Sequence, residues 1–328
     1  MNNFKKIGLT ALAASLVSVS AHAGSLTASG SASMNSEGHS SSGAMLNAGT
    51  TFSMANSVTM TGSGELDNGI TASVSFELDQ FTGNNSSNGF DNHSVSISSD
   101  ALGTLTLAGH GGSSATSAID TTAAGDMWDN FDQLSNDLGI TYADGVTANG
   151  GGNNAIMYTS PDLMDGLNVT LSYNPQGSGA ASESGYGFNY TGVEGLSLSY
   201  ANTDVETGTA TTSGDNTVIK VSYAYGPVTV SYSEMENEVA AAANAADKVS
   251  ESYAVSYTVS DELSLTYGSE THDIGSTAVD MEIEGFSVAY TTGGMTISAA
   301  MQSMDDGNFA TGTNNDVEYW ALGASFAF

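Results

Sequence analysis

The sequence predicts an all-β fold, a sixteen-stranded antiparallel β-barrel that crosses a membrane. Three observations lead there. Short segments alternate apolar and polar side chains with period two, the pattern of strands whose two faces meet different surroundings. Their connections switch regularly between short turns and longer polar loops, as a series of hairpins requires. After the N-terminal segment, no apolar run approaches the roughly 18 residues a membrane helix needs, so a membrane can be crossed only by a closed barrel.

Composition narrows the function. The chain has 328 residues, with 36 Asp and Glu against 4 Lys, and a formal net charge of −32. Nucleic acid is excluded as a partner, because neutralising phosphates takes clustered Lys and Arg. The absence of cysteine removes disulfides, thiolate zinc sites and a cysteine nucleophile. With 14 Tyr and 11 Phe the chain is too aromatic for a disordered acidic tail.

Taken in order, the first element is a secretory signal peptide at residues 1–23. Lys5 and Lys6 precede an apolar stretch from Ile7 to Val19, and Ala21-His22-Ala23 forms a cleavage site. Residues 24–328 then read as one barrel. Alternation runs through Leu167, Val169, Leu171 and Tyr173; through Leu196, Leu198 and Tyr200; and through Val228, Val230 and Tyr232. It continues through Leu263, Leu265 and Tyr267, and through Met295, Ile297, Ala299 and Met301. The last strand places Trp320, Leu322, Ala324, Phe326 and Phe328 on one face. Seven short turns, such as Leu66-Asp67-Asn68-Gly69 and Thr292-Gly293-Gly294, alternate with eight longer loops, such as 82–92, 204–215, 237–248 and 304–315. After removal of residues 1–23, about 19 residues remain per strand plus connection, enough for tilted spanning strands of roughly 9–11.

The apolar face is free of charge through its centre, as a lipid-facing surface must be. Lys220, between Ile219 and Val221, falls on the polar face. Tyr173, Tyr200, Tyr232 and Tyr267 are expected to close their strands on the apolar face near the loop rim, where an aromatic girdle belongs. Parity changes between Ile283 and Phe286, which predicts a bulge near Gly285.

Several segments resemble a known family. The aromatic-ended strand from Tyr319 to Phe328 is similar to the C-terminal assembly signal of outer-membrane barrels, with Trp320, Phe326 and Phe328 as its aromatic positions. Asn154-Ala155-Ile156-Met157-Tyr158-Thr159-Ser160-Pro161, followed by Gly166-Leu167 and Tyr173, resembles the strand after the third loop of Gram-negative general porins. Leu66-Asp67-Asn68-Gly69-Ile70 resembles their first periplasmic turn. The resemblance implies an outer-membrane location, contact with outer-membrane lipids, insertion by the barrel-assembly machinery and a homotrimer of diffusion pores. It also implies that an inward-folded third loop narrows each pore.

That loop is expected over about 112–153, the longest connection in the chain. Within it Met127, Phe131, Leu134 and Leu138 recur at helical spacing, predicting a short amphipathic helix. Asp126, Asp129, Asp132 and Asp137 surround it, and as carboxylates in a narrow pore they would attract cations. The alternative is a solvated helix on an external loop. Inward parity also brings Glu77 and Asp79 towards the loop rim, and the first strands offer no base to oppose them. The expected product is a cation-preferring channel for ions and small hydrophilic solutes.

Other chemistry finds less support. His39, His93, His110 and His272 show no metal-pair spacing, and no motif constrains a serine nucleophile, so no enzyme is expected. No cofactor is called for. Asp305 and Asp306, in an Asp-Asp-Gly-Asn stretch, are candidate calcium ligands, although the EF-hand spacing is absent. The second reading is a secreted acidic adhesin-type β protein, against which the absence of a fixed-period repeat counts.

Overall fold

The computed structural model describes residues 24–41, 50–79, 91–132, 151–175, 182–207, 213–240, 247–275, 277–311 and 315–328. The chain orders β1 (Ser25–Ser41), β2 (Thr50–Glu65), β3 (Thr71–Asp79), β4 (His93–Ser99), β5 (Gly103–His110), β6 (Gly112–Ser113), β7 (Gly151–Gly152), β8 (Ala155–Thr159) and β9 (Leu167–Asn174). There follow β10 (Ser182–Tyr190), β11 (Leu196–Glu206), β12 (Gly214–Tyr225), β13 (Val228–Val239), β14 (Lys248–Thr258), β15 (Leu263–Ile274), β16 (Met281–Thr292), β17 (Met295–Asp305) and β18 (Val317–Ala327). Sixteen of these close into one antiparallel barrel, while β6 and β7 pair only with each other. No described helix is long and apolar enough to cross a membrane.

Period-two sequence becomes a two-faced wall because neighbouring strands pair in matching parity. Leu107, Val95 and Val74 stand side by side across β5, β4 and β3 on the apolar face. Thr106, Ser96 and Ser73 do the same on the polar face. Closure joins β1 to β18 in continuous register from Ser31↔Ala327 to Ser41↔Val317. A closed ladder leaves no strand edge unpaired, which is what hydrocarbon demands. At the β2–β3 turn Gly69 sits at φ +77, a conformation glycine adopts without a Cβ penalty. Its N–H donates to Leu66 O at 2.9 Å.

Two expectations are corrected. Tyr200, Tyr232 and Tyr267 do not end their strands, since β11, β13 and β15 run on to Glu206, Val239 and Ile274. Backbone pairing continues past the apolar stretch because it needs no apolar side chains, and the continuing outward positions are acids such as Glu234, Glu236 and Glu238. Nor is there a bulge at Gly285, which pairs with Gly268 in an unbroken β15–β16 register. Ile283 and Phe286 simply lie on opposite faces. The wall's polar face turns apolar here, with Met281, Ile283, Met304, Val317 and Tyr319 buried together. The register break that does occur lies between His93 and Ser94.

Candidate functional site

The long connection after β5 is pinched at its neck by the β6–β7 pairing, and its residues 113–132 are described. This segment winds through turns, with Ala118 N donating to Ser114 O, Gly125 N to Thr122 O and Asp129 N to Asp126 O. Along its length it binds successive strands on their polar face. Ala115 N donates to Ser172 Oγ on β9 at 2.8 Å. Thr116 Oγ1 donates to Thr203 Oγ1 on β11 at 2.9 Å. Ala123 N and Ala124 N donate to Ser233 Oγ on β13 and Ser252 Oγ on β14, at 2.8 and 2.9 Å. Further on, Asn130 Nδ2 donates to Gln302 Oε1 on β17 at 2.9 Å, and Asn130 O accepts from His39 Nε2 on β1 at 2.7 Å.

Glu270 on β15 holds the middle of the segment. Its carboxylate is fully buried and accepts from Thr122 Oγ1, from Met127 N at 3.0 Å and from Trp128 N at 3.1 Å. His272 lies two residues further along, Nε2 at 3.6 Å from Glu270 Oε2. Its ring nitrogens are buried and make no hydrogen bond among the described residues. A buried carboxylate is costly unless such donors replace its water, and here the segment itself supplies three.

An apolar seat completes the attachment. Phe131 is fully buried with Met127 against the apolar patch of β16–β18, and its ring lies 5.9 Å from that of Tyr319. Ile119 packs on Val218 and Met235 in a smaller cluster. Gly268 makes the fit possible, since a Cβ there would come within 2.7 Å of Ala124 Cβ.

The residues expected to form a constriction are distributed as follows. Asp126, at φ +54, braces the segment, its Oδ1 accepting from Thr122 N at 2.8 Å while its own N–H takes Thr122 Oγ1. Asp129 is exposed, in a helical turn Asp129–Asp132. Among the described residues the predicted amphipathic helix is the single turn Asp129–Asp132, and Met127 and Phe131 of its apolar stripe pack on the wall patch. Asp137, Leu134 and Leu138 lie outside the described residues, as does the side chain of Asp132. Lys220 on β12 reaches the segment and donates through Nζ to Thr121 O. Glu77 accepts from Asn92 Nδ2 at 2.7 Å, and Asp79 is exposed at the end of β3.

Sequence reasoning missed Asp120, Thr122, Glu270 and His272. Burial raises the Asp120 carboxyl above its ordinary value and the Asp126 charge adds to this. Burial likewise raises Asp126, partly offset by the Thr122 hydrogen bonds, with the Glu270 charge also raising it. The available signal for Glu270 was an acid on the polar face in mid-strand, flanked by Gly268 and His272.

The remaining predicted positions fall elsewhere. Trp320, Phe326 and Phe328 are exposed on the apolar side of the closing strand and its end. Asp305 ends β17 and Asp306 precedes a 3-10 turn, its N–H donating to Asp316 Oδ1 at 3.3 Å. Among the described residues no three His, Cys, Asp or Glu gather as metal ligands.

Comparison with known proteins gives a consistent result. No curated protein sequence matches significantly. The barrel is similar to an anion-selective porin from Comamonas acidovorans, with TM-score 0.70 at 17% identity. It is also similar to a triple mutant of the Rhodopseudomonas blastica porin (0.65, 18%) and to a loop-deletion form of OmpT, an outer membrane protein of Vibrio cholerae (0.68, 15%). Each likeness covers 93% of this chain and 100% of the other. At these identities they show the fold. The sequence model of the Gram-negative porin family matches residues 8–328, nearly the whole chain, which excludes both the adhesin alternative and an enzyme. The chain therefore belongs to the Gram-negative porins, the diffusion channels of the outer membrane.

Proposed function

We propose that the polar face lines a water-filled passage, that residues 113–132 narrow it, and that the passage prefers cations over anions. The observation carrying this reading is the path of the segment, which contacts the polar face from β9 round to β1. Following the outside of the wall would cross ten inter-strand steps, about 48 Å at ~4.8 Å each before side chains are added. The fifteen steps from Ala115 to Asn130 span about 50 Å only when fully extended at ~3.3 Å each. The segment is folded into turns, which supports the shorter inner course.

Charge supports the preference. Asp120, Asp126 and Asp129 sit on the segment, and Glu77, Asp79 and Lys220 share the parity of the polar face. Lys220 is engaged by Thr121 and attracted by Asp126 and Asp120, which leaves the carboxylates in excess. The permeants are then ions and small hydrophilic solutes, cations passing more readily, and the channel needs no cofactor. Calcium at Asp305 and Asp306 would be a peripheral addition.

The same reading takes residues 1–23 as an export signal and Trp320, Phe326 and Phe328 as the assembly signal. It makes the protein a homotrimer, supported by the outward face of β1–β3. Ala28, Gly30, Ala32, Met54, Met60 and Val74 point outward there, and none of the outward residues on these strands is an acid, Tyr or Trp. Such an uncharged face, with Leu26, Phe52 and Phe76 projecting from it, suits another copy better than a lipid–water interface. The test is reconstitution into a planar bilayer across a salt gradient. Conductance in steps of three with a cation-selective reversal potential is the expected record; an anion-selective potential would overturn the preference, and absence of conductance the channel.

A further inference from the structure

Four adjacent strands carry an ordered pair of rows on their outward face. In the first row Tyr267, Phe286, Met301 and Trp320 are direct cross-strand partners on β15 to β18. Phe286 and Met301 are 67% and 72% exposed, and the Tyr267 and Phe286 rings approach to 4.8 Å. One step towards the loops, the next row reads Ser269, Glu284, Ser303 and Glu318, again as direct partners. Tyr267 ties the rows together, its hydroxyl donating to Glu284 Oε2 at 2.7 Å. Between the rows the side chains leave a groove of about 330 Å³, within the range of small-ligand sites. Trp320 forms one wall, its ring laid across β1 at Gly38, where a Cβ would meet Trp320 Nε1 at 2.7 Å.

We propose that this groove binds a membrane lipid bearing an ammonium headgroup, its chain along Phe286 and Met301 and its cation at Glu284 and Glu318. The apolar row lies where an outer-membrane barrel meets acyl chains, and aromatic rings mark the interface just beyond. A headgroup entering the second row meets two carboxylates. The row beyond adds Glu282 and Asp305, and β15 to β18 contain no Lys or Arg. An anionic headgroup would be repelled there. An ammonium group is attracted by the carboxylates and by the faces of Trp320 and Tyr267. Neutral hydroxyl-bearing heads gain neither term, so charge complementarity selects the cationic class.

Lipid contact can be read from tryptophan quenching, because the chain has only two Trp, at 128 and 320. Trp128→Phe leaves Trp320 as the reporter. The full-length variant is placed in phosphatidylcholine vesicles containing a small fraction of brominated lipid, either trimethylammonium-headed or phosphatidylglycerol. The cationic lipid is expected to associate with Trp320 roughly thirtyfold more strongly at low salt, the scale of two charge contacts near a surface. Adding Glu284→Gln and Glu318→Gln should bring the two lipids within about twofold. Heat-dependent gel mobility verifies that each variant is a folded barrel. Equal association in the starting protein would overturn the proposal. A preference surviving in the double variant would assign it to overall protein charge, overturning the groove. Quenching by neither lipid would mean that a second protein surface covers this face, and would overturn it too.

Discussion

Replacing Glu270 with alanine removes the group on which the middle of segment 113–132 hangs. Three donors lose their acceptor together, the buried Thr122 Oγ1 and Met127 N and the half-buried Trp128 N. An orphaned buried donor costs about 1–3 kcal/mol. Since a segment can relax where a barrel strand cannot, a total of about 3–6 kcal/mol is expected. That shifts the balance between seated and released segment by roughly a hundredfold to ten-thousandfold. The remaining hold comes from Phe131 in its apolar seat and from the bonds to Ser172, Thr203, Lys220, Ser233, Ser252, Gln302 and His39. The outcome is a segment that detaches intermittently while the ladder of the barrel stays intact. Single-channel recording should show larger conductance levels and greater open-channel noise, and Glu270→Gln, which keeps one acceptor oxygen, should fall between. Heat-modifiable migration confirms a folded barrel. A Glu270→Ala channel with the conductance and noise of the parent would refute the reasoning, because the carboxylate would then not position anything in the ion path.

Other tests follow from charge. Lys220→Gln removes the positive charge next to Asp120 and Asp126 and should move the reversal potential further towards the cation limit; a shift towards anions would contradict it. Asp120 and Asp126 have folded values raised by burial, so acidification should weaken cation preference before an exposed aspartate would titrate. A raised carboxylate value means that the folded state binds the proton more tightly, so its stabilising effect is present in acid and is lost as pH rises through the folded value. Reversal potentials and melting curves taken from neutrality into the acid range check both signs. Outward carboxylates face each other directly at Glu234–Glu251, Asp204–Asp215–Glu238 and Glu282–Asp305. Like charges so placed repel and are screened by salt, so the melting temperature should rise between about 0.01 M and 0.5 M NaCl. Calcium chelation at fixed ionic strength should leave conductance unchanged; a large change would point back to Asp305 and Asp306.

The barrel was legible because two faces impose period two on almost every strand, and hairpins impose alternating connection lengths. Lys220 shows the strength of that rule, its parity alone placing it on the polar face where it meets Thr121. The rule fails where the polar face is itself covered. Met281 and Ile283 look like a phase error next to Phe286, and a bulge is the natural inference. They are instead apolar residues on the polar side, placed there to receive Phe131. Period two reports a difference between faces, not what lies on each. Glu270 was overlooked for a related reason, because an acid on the polar face reads as solvated until its three partners, more than 140 residues away in sequence, are brought to it.

The β1–β18 ladder has a consequence for how the molecule forms. It pairs Ser31 with Ala327, so the seam joins segments separated by nearly the whole chain. Loop-closure entropy and high contact order make such a pairing slow. Until it zips, the other strands are an open sheet with two unpaired borders of N–H and C=O groups, each able to capture a strand from another molecule. The hazard is greatest just before completion, when the sheet is largest and only one ladder is missing. Slowing the seam alone, by weakening the mutual backbone bonds of Gly30 and Phe328, should therefore divert chains to aggregates while leaving the stability of completed barrels nearly unaltered.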